Sequence, residues 1–417
     1  MLPGEIGSIR TSPFRPFGAP SPSGGRIERR RALHLATAAL AAACALPSLV
    51  RAQDKPAFRL PVLVPLTGFA ALEGKSQRDG ALLAVRDVGV RFVTDVIDTG
   101  TSPEGAATAW QRAFRDTGVR DGVRPPVAAM GPILGTQMLA LLPLAAEAKT
   151  PVLAVSGTAR LSEMGNPWFF RFFPGDGTVK VAHARYVVEK TGARKPAVIF
   201  QTTAYGQSGR EQLARTFGEL GLKPVLEEGV ATTVNDFAPM IARAQAAQAD
   251  ALVLHLHSQS TALAIRQART LVPSLPIIAG SAMAQPATAA LLEPAELKGV
   301  CAETAAMPAA ATDNASMGDF VTAYRREYQS DPDAFAAAQY DAVRMLGAAL
   351  MEIVQAGGVE AVTGDAVRGR LSAMRWRGLA TDYRSDGKGN MAHEALIVCY
   401  DGTGRVPAIV AKYAFPP

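Results

Sequence analysis

Cysteine and histidine are scarce in this chain, and each shortage removes a class of function. Three cysteines and five histidines in 417 residues include no metal-ligand spacing, so no metal site is expected. No serine stands in a G-x-S-x-G frame; Ser208, within Tyr205-Gly206-Gln207-Ser208-Gly209, looks instead like a helix N-terminus. After residue 52 no uncharged apolar run reaches the ~18 residues a membrane span needs, so the remainder reads as soluble. Lysine is absent from residues 1–52, although that stretch is the most basic part of the chain.

What is present points to export. The formal net charge is +6, but residues 1–52 hold seven arginines against Glu5 and Glu28, leaving about +1 for the remainder. A nucleic-acid partner is therefore not expected. Arg29, Arg30 and Arg31 precede an Ala/Leu-rich run over 32–50, and Val50-Arg51-Ala52 puts small residues at −3 and −1 of a cleavage site. Residues 1–52 read as an export signal with an unstructured, Pro/Gly/Ser-rich start, and the periplasm as the destination. Arg30-Arg31 leaves the twin-arginine and general routes equally open, and lipid attachment at Cys44 is a further option. Cleavage after Ala52 would leave Cys301 and Cys399, which an oxidising compartment permits to bridge without proving that they do.

The length favours two lobes, and 48% hydrophobic with 19% charged residues suits a folded globular chain. From Phe58 to about residue 300, short apolar runs alternate with helix-period stretches. The runs cover 60–64, 91–97, 127–130, 152–155, 197–200, 224–227, 251–255 and 276–278. The helical stretches cover 80–88, 136–148, 178–191, 208–220, 236–248 and 260–271. This alternation predicts an α/β fold of two doubly wound, parallel-sheet lobes joined by a hinge. The stretch 166–176 breaks the rhythm and is the expected first crossing between lobes. Beyond Met307, longer helices are expected over 320–328 and 334–355, with hairpin turns at 386–390 and 401–404.

Two constellations invite chemistry and fall short. Gly68 and Gly74, followed by Lys75 and Ser76, enclose five residues where a phosphate cradle needs four. His255 and His257 share a strand face, but no carboxylate or cysteine lies nearby in sequence to complete a metal site. No enzyme activity and no cofactor are expected.

Short motifs in a fixed order carry a resemblance. They are Val64-Pro65-Leu66-Thr67-Gly68, the 80–85 helix opening, Asp98 to Pro103, Gly131-Pro132 and Ser156-Gly157-Thr158-Ala159. Phe170-Arg171 with Asp176, Tyr205-Gly206-Gln207 and Tyr340-Asp341-Ala342 complete the series. From about Leu60 to Gly404 the chain resembles periplasmic solute-binding proteins of the leucine/isoleucine/valine-binding type, which serve ABC importers. The resemblance implies a type I periplasmic binding protein-like fold, with lobe I from 53–173 plus about 305–372 and lobe II from 174–304 plus about 373–417.

It also implies a monomer that captures a small-molecule ligand by hinge closure and delivers it to an inner-membrane ABC permease. Loops after strands would supply the ligand contacts. The candidates are Phe69, Gly135, Thr136, Ser156, Thr158, Tyr205, His257, Ser258 and Ser260. Two departures bear on the ligand. Gly135 stands where amino-acid binders of this type have a carboxylate-binding serine, and Ser260 where they have a glutamate facing the ammonium. A buried ammonium needs a carboxylate partner, so an amino acid would require Glu73 or Asp176 as substitutes. An organic acid, an aromatic acid or an amide is an equal candidate. Tyr340 is expected in the core, and Asp341 as a brace. A sensor signalling to a membrane partner would share the fold and the pocket. An exported hydrolase would need a nucleophile or metal, and a repressor a DNA-binding motif in place of the leader.

Overall fold

The computed structural model describes residues 55–310 and 314–416, so the expected leader, with its cleavage site and Cys44, lies outside the described residues. Strands are numbered in chain order, as are the helices of eight residues or more.

The first sheet is built from β1 (Ala57–Val64), β2 (Arg91–Asp98), β3 (Val123–Arg124), β4 (Ala129–Met130), β5 (Val152–Ala154) and β6 (Phe169–Arg171). Its order is β2-β1-β4-β5-β6, with β3 also beside β1, and every pairing within it is parallel. The second sheet comprises β7 (Pro196–Gln201), β8 (Leu226–Val230), β9 (Ala251–His255), β10 (Ile277–Ala279), β11 (Val300–Thr304), β14 (Glu394–Cys399) and β15 (Ala408–Ala414). Its order is β15-β14-β11-β10-β9-β7-β8, parallel except for the β11–β14 and β14–β15 pairings, so that β14 alone runs against the rest. A small ribbon, β12 (Arg375–Arg377) with β13 (Asp382–Arg384), stands apart from both.

Strand periodicity explains why each sheet is covered on both faces. Phe58, Leu60, Val62 and Val64 pack into one core, while Leu63 turns to a second core with Trp110 and Leu141. In β7, Ala197 and Ile199 join one cluster, and Val198 and Phe200 the other. Helices α1 (Ala71–Ala84), α2 (Pro103–Ala113) and α3 (Gly135–Glu147) follow strands of the first sheet. Helices α4 (Asp176–Glu189), α5 (Ala204–Glu219), α6 (Ala238–Ala246) and α7 (Ser258–Leu271) accompany the second. The chain then returns to the first core with α8 (Ala315–Tyr328), α9 (Ala334–Gly357) and α10 (Gly364–Ala373), through Phe320, Leu346 and Leu371.

Helix starts depart from the sequence expectation where caps set them. Helix α5 opens at Ala204, because the Thr203 hydroxyl accepts from the Gly206 N–H at 3.2 Å. Ser208 therefore lies inside the helix. Gly74 lies within α1 rather than in a phosphate cradle, and a β-carbon there would fall 1.7 Å from the Pro65 carbonyl oxygen. Cys301 and Cys399 form a disulfide joining β11 to β14, which resolves the pairing that the sequence left open. Tyr340 donates to Asp87 at 3.0 Å, and Asp341 accepts from the Leu379 N–H at 2.8 Å, tying α9 to the turn between the two ribbon strands. Among the described residues, no helix is long and apolar enough to cross a membrane.

Candidate functional site

A small, nearly filled cavity lies between the two sheets, and almost every residue lining it follows the carboxyl end of a strand. From the first sheet come Glu73 after β1, Ile133 and Leu134 after β4, Val155 and Gly157 after β5, and Phe173 to Asp176 after β6. From the second come Tyr205 after β7, His257 after β9, and Ser281 and Ala282 after β10. Loops at these ends carry helix N-termini whose free N–H groups favour ligands.

Buried side chains fix the loops. Gln77 of α1 donates to the Gly131 carbonyl and accepts from the Ile133 N–H, both at 3.0 Å. The Arg171 guanidinium, 2% exposed, donates to the carbonyls of Ser156, Gly157 and Thr158 at 3.3, 3.1 and 2.8 Å. Its Nε reaches Asn390 at 2.9 Å, so one arginine holds the loop after β5 against the returning chain. Burial lowers this guanidinium to about 10, against an ordinary value near 12.5. On the other side, Gln201 accepts from the His257 N–H at 3.1 Å and sets the start of α7.

The electrostatics of the wall are unusual. Asp176 is fully buried and neither carboxylate oxygen has a hydrogen-bond partner. Burial pushes its carboxyl up to about 7, against the opposing pull of Lys180. Glu73 is 3% exposed and its Oε2 is also without a partner; burial raises it too. The hydroxyls of Ser156 and Thr158, both buried, are similarly unpartnered. Behind this wall Glu303 is fully paired. It binds Lys180 directly, His183 Nδ1 at 2.9 Å and the Ser281 hydroxyl at 3.2 Å. Burial alone would raise Glu303, but Lys180 and His183 outweigh it and hold the carboxyl well below the usual range. No lysine or arginine lines the cavity.

The tyrosine and two histidines form an aromatic corner. The Tyr205 ring lies 3.9 Å from that of His255 and 5.4 Å from that of His257, and Phe69 contacts His257 at 4.9 Å. Burial lowers His257 to about 4, so it is neutral at ordinary pH, and its Nε2 lies 3.3 Å from the Thr203 hydroxyl. His255 Nε2 lies 3.0 Å from the Tyr205 carbonyl oxygen. Among the described residues, no group of three or more His, Cys, Asp or Glu could hold a metal.

Of the residues singled out from sequence, Tyr205 and His257 line the cavity itself, as do Glu73 and Asp176, the two carboxylates named as substitutes. Ser156 and Thr158 flank the lining Gly157, and Phe69 reaches the site through His257. Gly135 and Thr136 begin α3 beside the lining Leu134. A β-carbon at Gly135 would stand 2.0 Å from the Thr158 hydroxyl, so Thr158 occupies the space a serine at 135 would need. Ser258 bonds Glu73 from the start of α7. Ser260 stands outside the lining, its hydroxyl accepting from Gln201 Nε2 at 3.4 Å. The Arg171 clamp and the Lys180–Glu303–His183 cluster were not found from sequence. Lys180 and Glu303 are 123 residues apart, and no local spacing signals their meeting. A larger, open groove lies on the surface beside the ribbon, among the exposed Arg375, Arg377, Arg384 and Lys412.

Fold and site together define a two-lobed α/β protein with a small chamber between its halves, largely apolar with a few buried polar groups. Residues 57–405 match the periplasmic binding protein family, and the chain belongs to it. A Leu/Ile/Val-binding protein, BraC3, from Rhizobium johnstonii is 24% identical over 257 residues, which span 59% of this chain and 66% of that relative. The crystal structure of a leucine-binding protein, LivK, from Thermotoga maritima superposes with a TM-score of 0.73 at 22% identity, covering 86% of this chain and 99% of that one. A solute-binding protein of an ABC transporter from R. palustris, solved with benzoate, gives a TM-score of 0.76 at 17% identity, covering 86% and 96%. The fold is thus shared with the branched-chain amino acid type of receptor and with an aromatic-acid binder.

Proposed function

We propose that this chain is the periplasmic receptor of an ABC importer, which as a monomer closes over one small polar ligand and presents it to a membrane permease. The ligand is amino acid-like, an organic or aromatic acid, or an amide. One observation carries the reading: seven loops at strand carboxyl ends, drawn from both sheets, enclose one chamber, and the carboxylates of Glu73 and Asp176 that line it keep buried oxygens without protein partners. Buried polar groups without partners destabilise a protein by about 1–3 kcal/mol each, and a ligand that supplies the partners removes that penalty. The family and the resemblance to importer receptors support the same role.

The test is a melting-temperature screen against amino acids, organic and aromatic acids, and amides. A ligand at about 100 times its dissociation constant adds ~2.7 kcal/mol of stability. Tyr205→Ala and Thr158→Ala should each weaken binding of the hit while leaving the fold intact. Unchanged affinity in both variants would move the site elsewhere.

A further inference from the structure

Glu73 belongs to the first lobe, at the start of α1, yet its Oε1 bonds the second lobe. It accepts from the Ser258 hydroxyl at 2.6 Å and from the Ser258 N–H at 3.1 Å. Helix α7 needs that acceptor. The first N–H groups of a helix have no partner within it, and His257, its N-terminal cap, makes no side-chain cap bond. The cap is supplied from across the cleft, where a carboxylate also suits the positive end of the helix dipole. Gln285 adds a bond to the same Ser258 hydroxyl at 3.0 Å. The second oxygen, Oε2, has no partner, and Glu73 lines the chamber although only 3% of it is exposed.

We propose that Glu73 couples recognition to closure, one oxygen latching the lobes together at Ser258 while the other receives an N–H donor from the ligand. The inference rests on the proposed receptor role and deepens it by naming the ligand's chemistry: an ammonium or amide head, rather than a bare carboxylate. It also answers the departure at Ser260. The carboxylate that a buried ammonium requires comes from α1 of the first lobe instead of from α7 of the second.

Two substitutions separate the two tasks. In Glu73→Gln the amide oxygen can still accept from Ser258 while the NH2 faces the chamber, turning an acceptor into a donor. Glu73→Ala removes both. The full chain is melted with L-leucine, benzamide and benzoate, and amide exchange is followed over 258–261. In the wild type, L-leucine or benzamide should raise the melting temperature more than benzoate does. In Glu73→Gln that ligand should bind about tenfold to a hundredfold more weakly, the loss of one charge-assisted bond, while benzoate gains. Exchange over 258–261 should accelerate in Glu73→Ala and stay near wild type in Glu73→Gln. Benzoate as the strongest ligand of both wild type and Glu73→Gln would overturn the recognition half, while leaving the receptor role standing. Wild-type protection of 258–261 in Glu73→Ala would overturn the latch, whether or not any of the three compounds binds. Failure of a broad small-molecule panel to shift the wild type would instead count against the receptor role itself.

Discussion

The chamber wall and the cluster behind it are buried alike and built oppositely. At the wall, Glu73 and Asp176 keep oxygens without partners, as do Ser156 and Thr158 on either side of the lining Gly157. Behind it, the Glu303 carboxylate has Lys180, His183 and Ser281 on its two oxygens, although the far nitrogen of His183, Nε2, has no partner. A paired charge is what a structural cluster requires, because an uncompensated buried charge is costly. Unpaired polar atoms on one concave face are tolerated where a ligand completes them. The difference separates the part of the polar interior that holds the lobe from the part that awaits a guest.

The comparison can be broken most forcefully at Glu303. Glu303→Ala leaves Lys180 buried beside His183 without its counter-charge, and should cost about 3–5 kcal/mol in a denaturant melt. A loss below about 1 kcal/mol would mean that the cluster is not structural. Gly135→Ser probes the wall by crowding. Its β-carbon meets the Thr158 hydroxyl, an overlap expected to cost about 1–3 kcal/mol and to be largely relieved in the double variant with Thr158→Ala. Additive losses in that cycle would show that the two positions do not share space.

A third test is at Asp176 and reads pH rather than packing. Its folded carboxyl is raised to about 7 from an ordinary 3.8, so between those values the native state keeps a proton that the unfolded chain has released. Stability of the unliganded protein should therefore fall as pH rises from about 4 to about 7. Asp176→Asn should flatten that part of the profile, as read from melting temperature against pH. An unchanged slope would place the titration on another group.

Much of the scaffold was legible because buried parallel strands are short apolar runs between amphipathic helices. The runs at 60–64, 197–200 and 251–255 lie within β1, β7 and β9. Strand β6 was missed because three residues carry no period, and it lies in the stretch that reads as a break. Helix α1 was read from residue 80, since Glu73, Lys75 and Ser76 interrupt its apolar face, although Glu73 is buried against Ser258 and Ser76 against Asp333. Tyr205 and His257 were legible from their places after strands. The Arg171 clamp was not, because its partners are backbone carbonyls, which look the same in every sequence. Ser260 marks the limit of counting along a helix: it faces Gln201, while Ser258, one half-turn earlier, meets the carboxylate.

The most direct test is a crystal structure of the protein grown with whichever screened compound raises its melting temperature most. The account predicts one molecule enclosed between the sheets, with polar atoms about 3 Å from Glu73 or Asp176 and its flank against Tyr205. A compound lodged instead in the arginine-rimmed groove beside the ribbon, with the inner chamber unchanged, would contradict it.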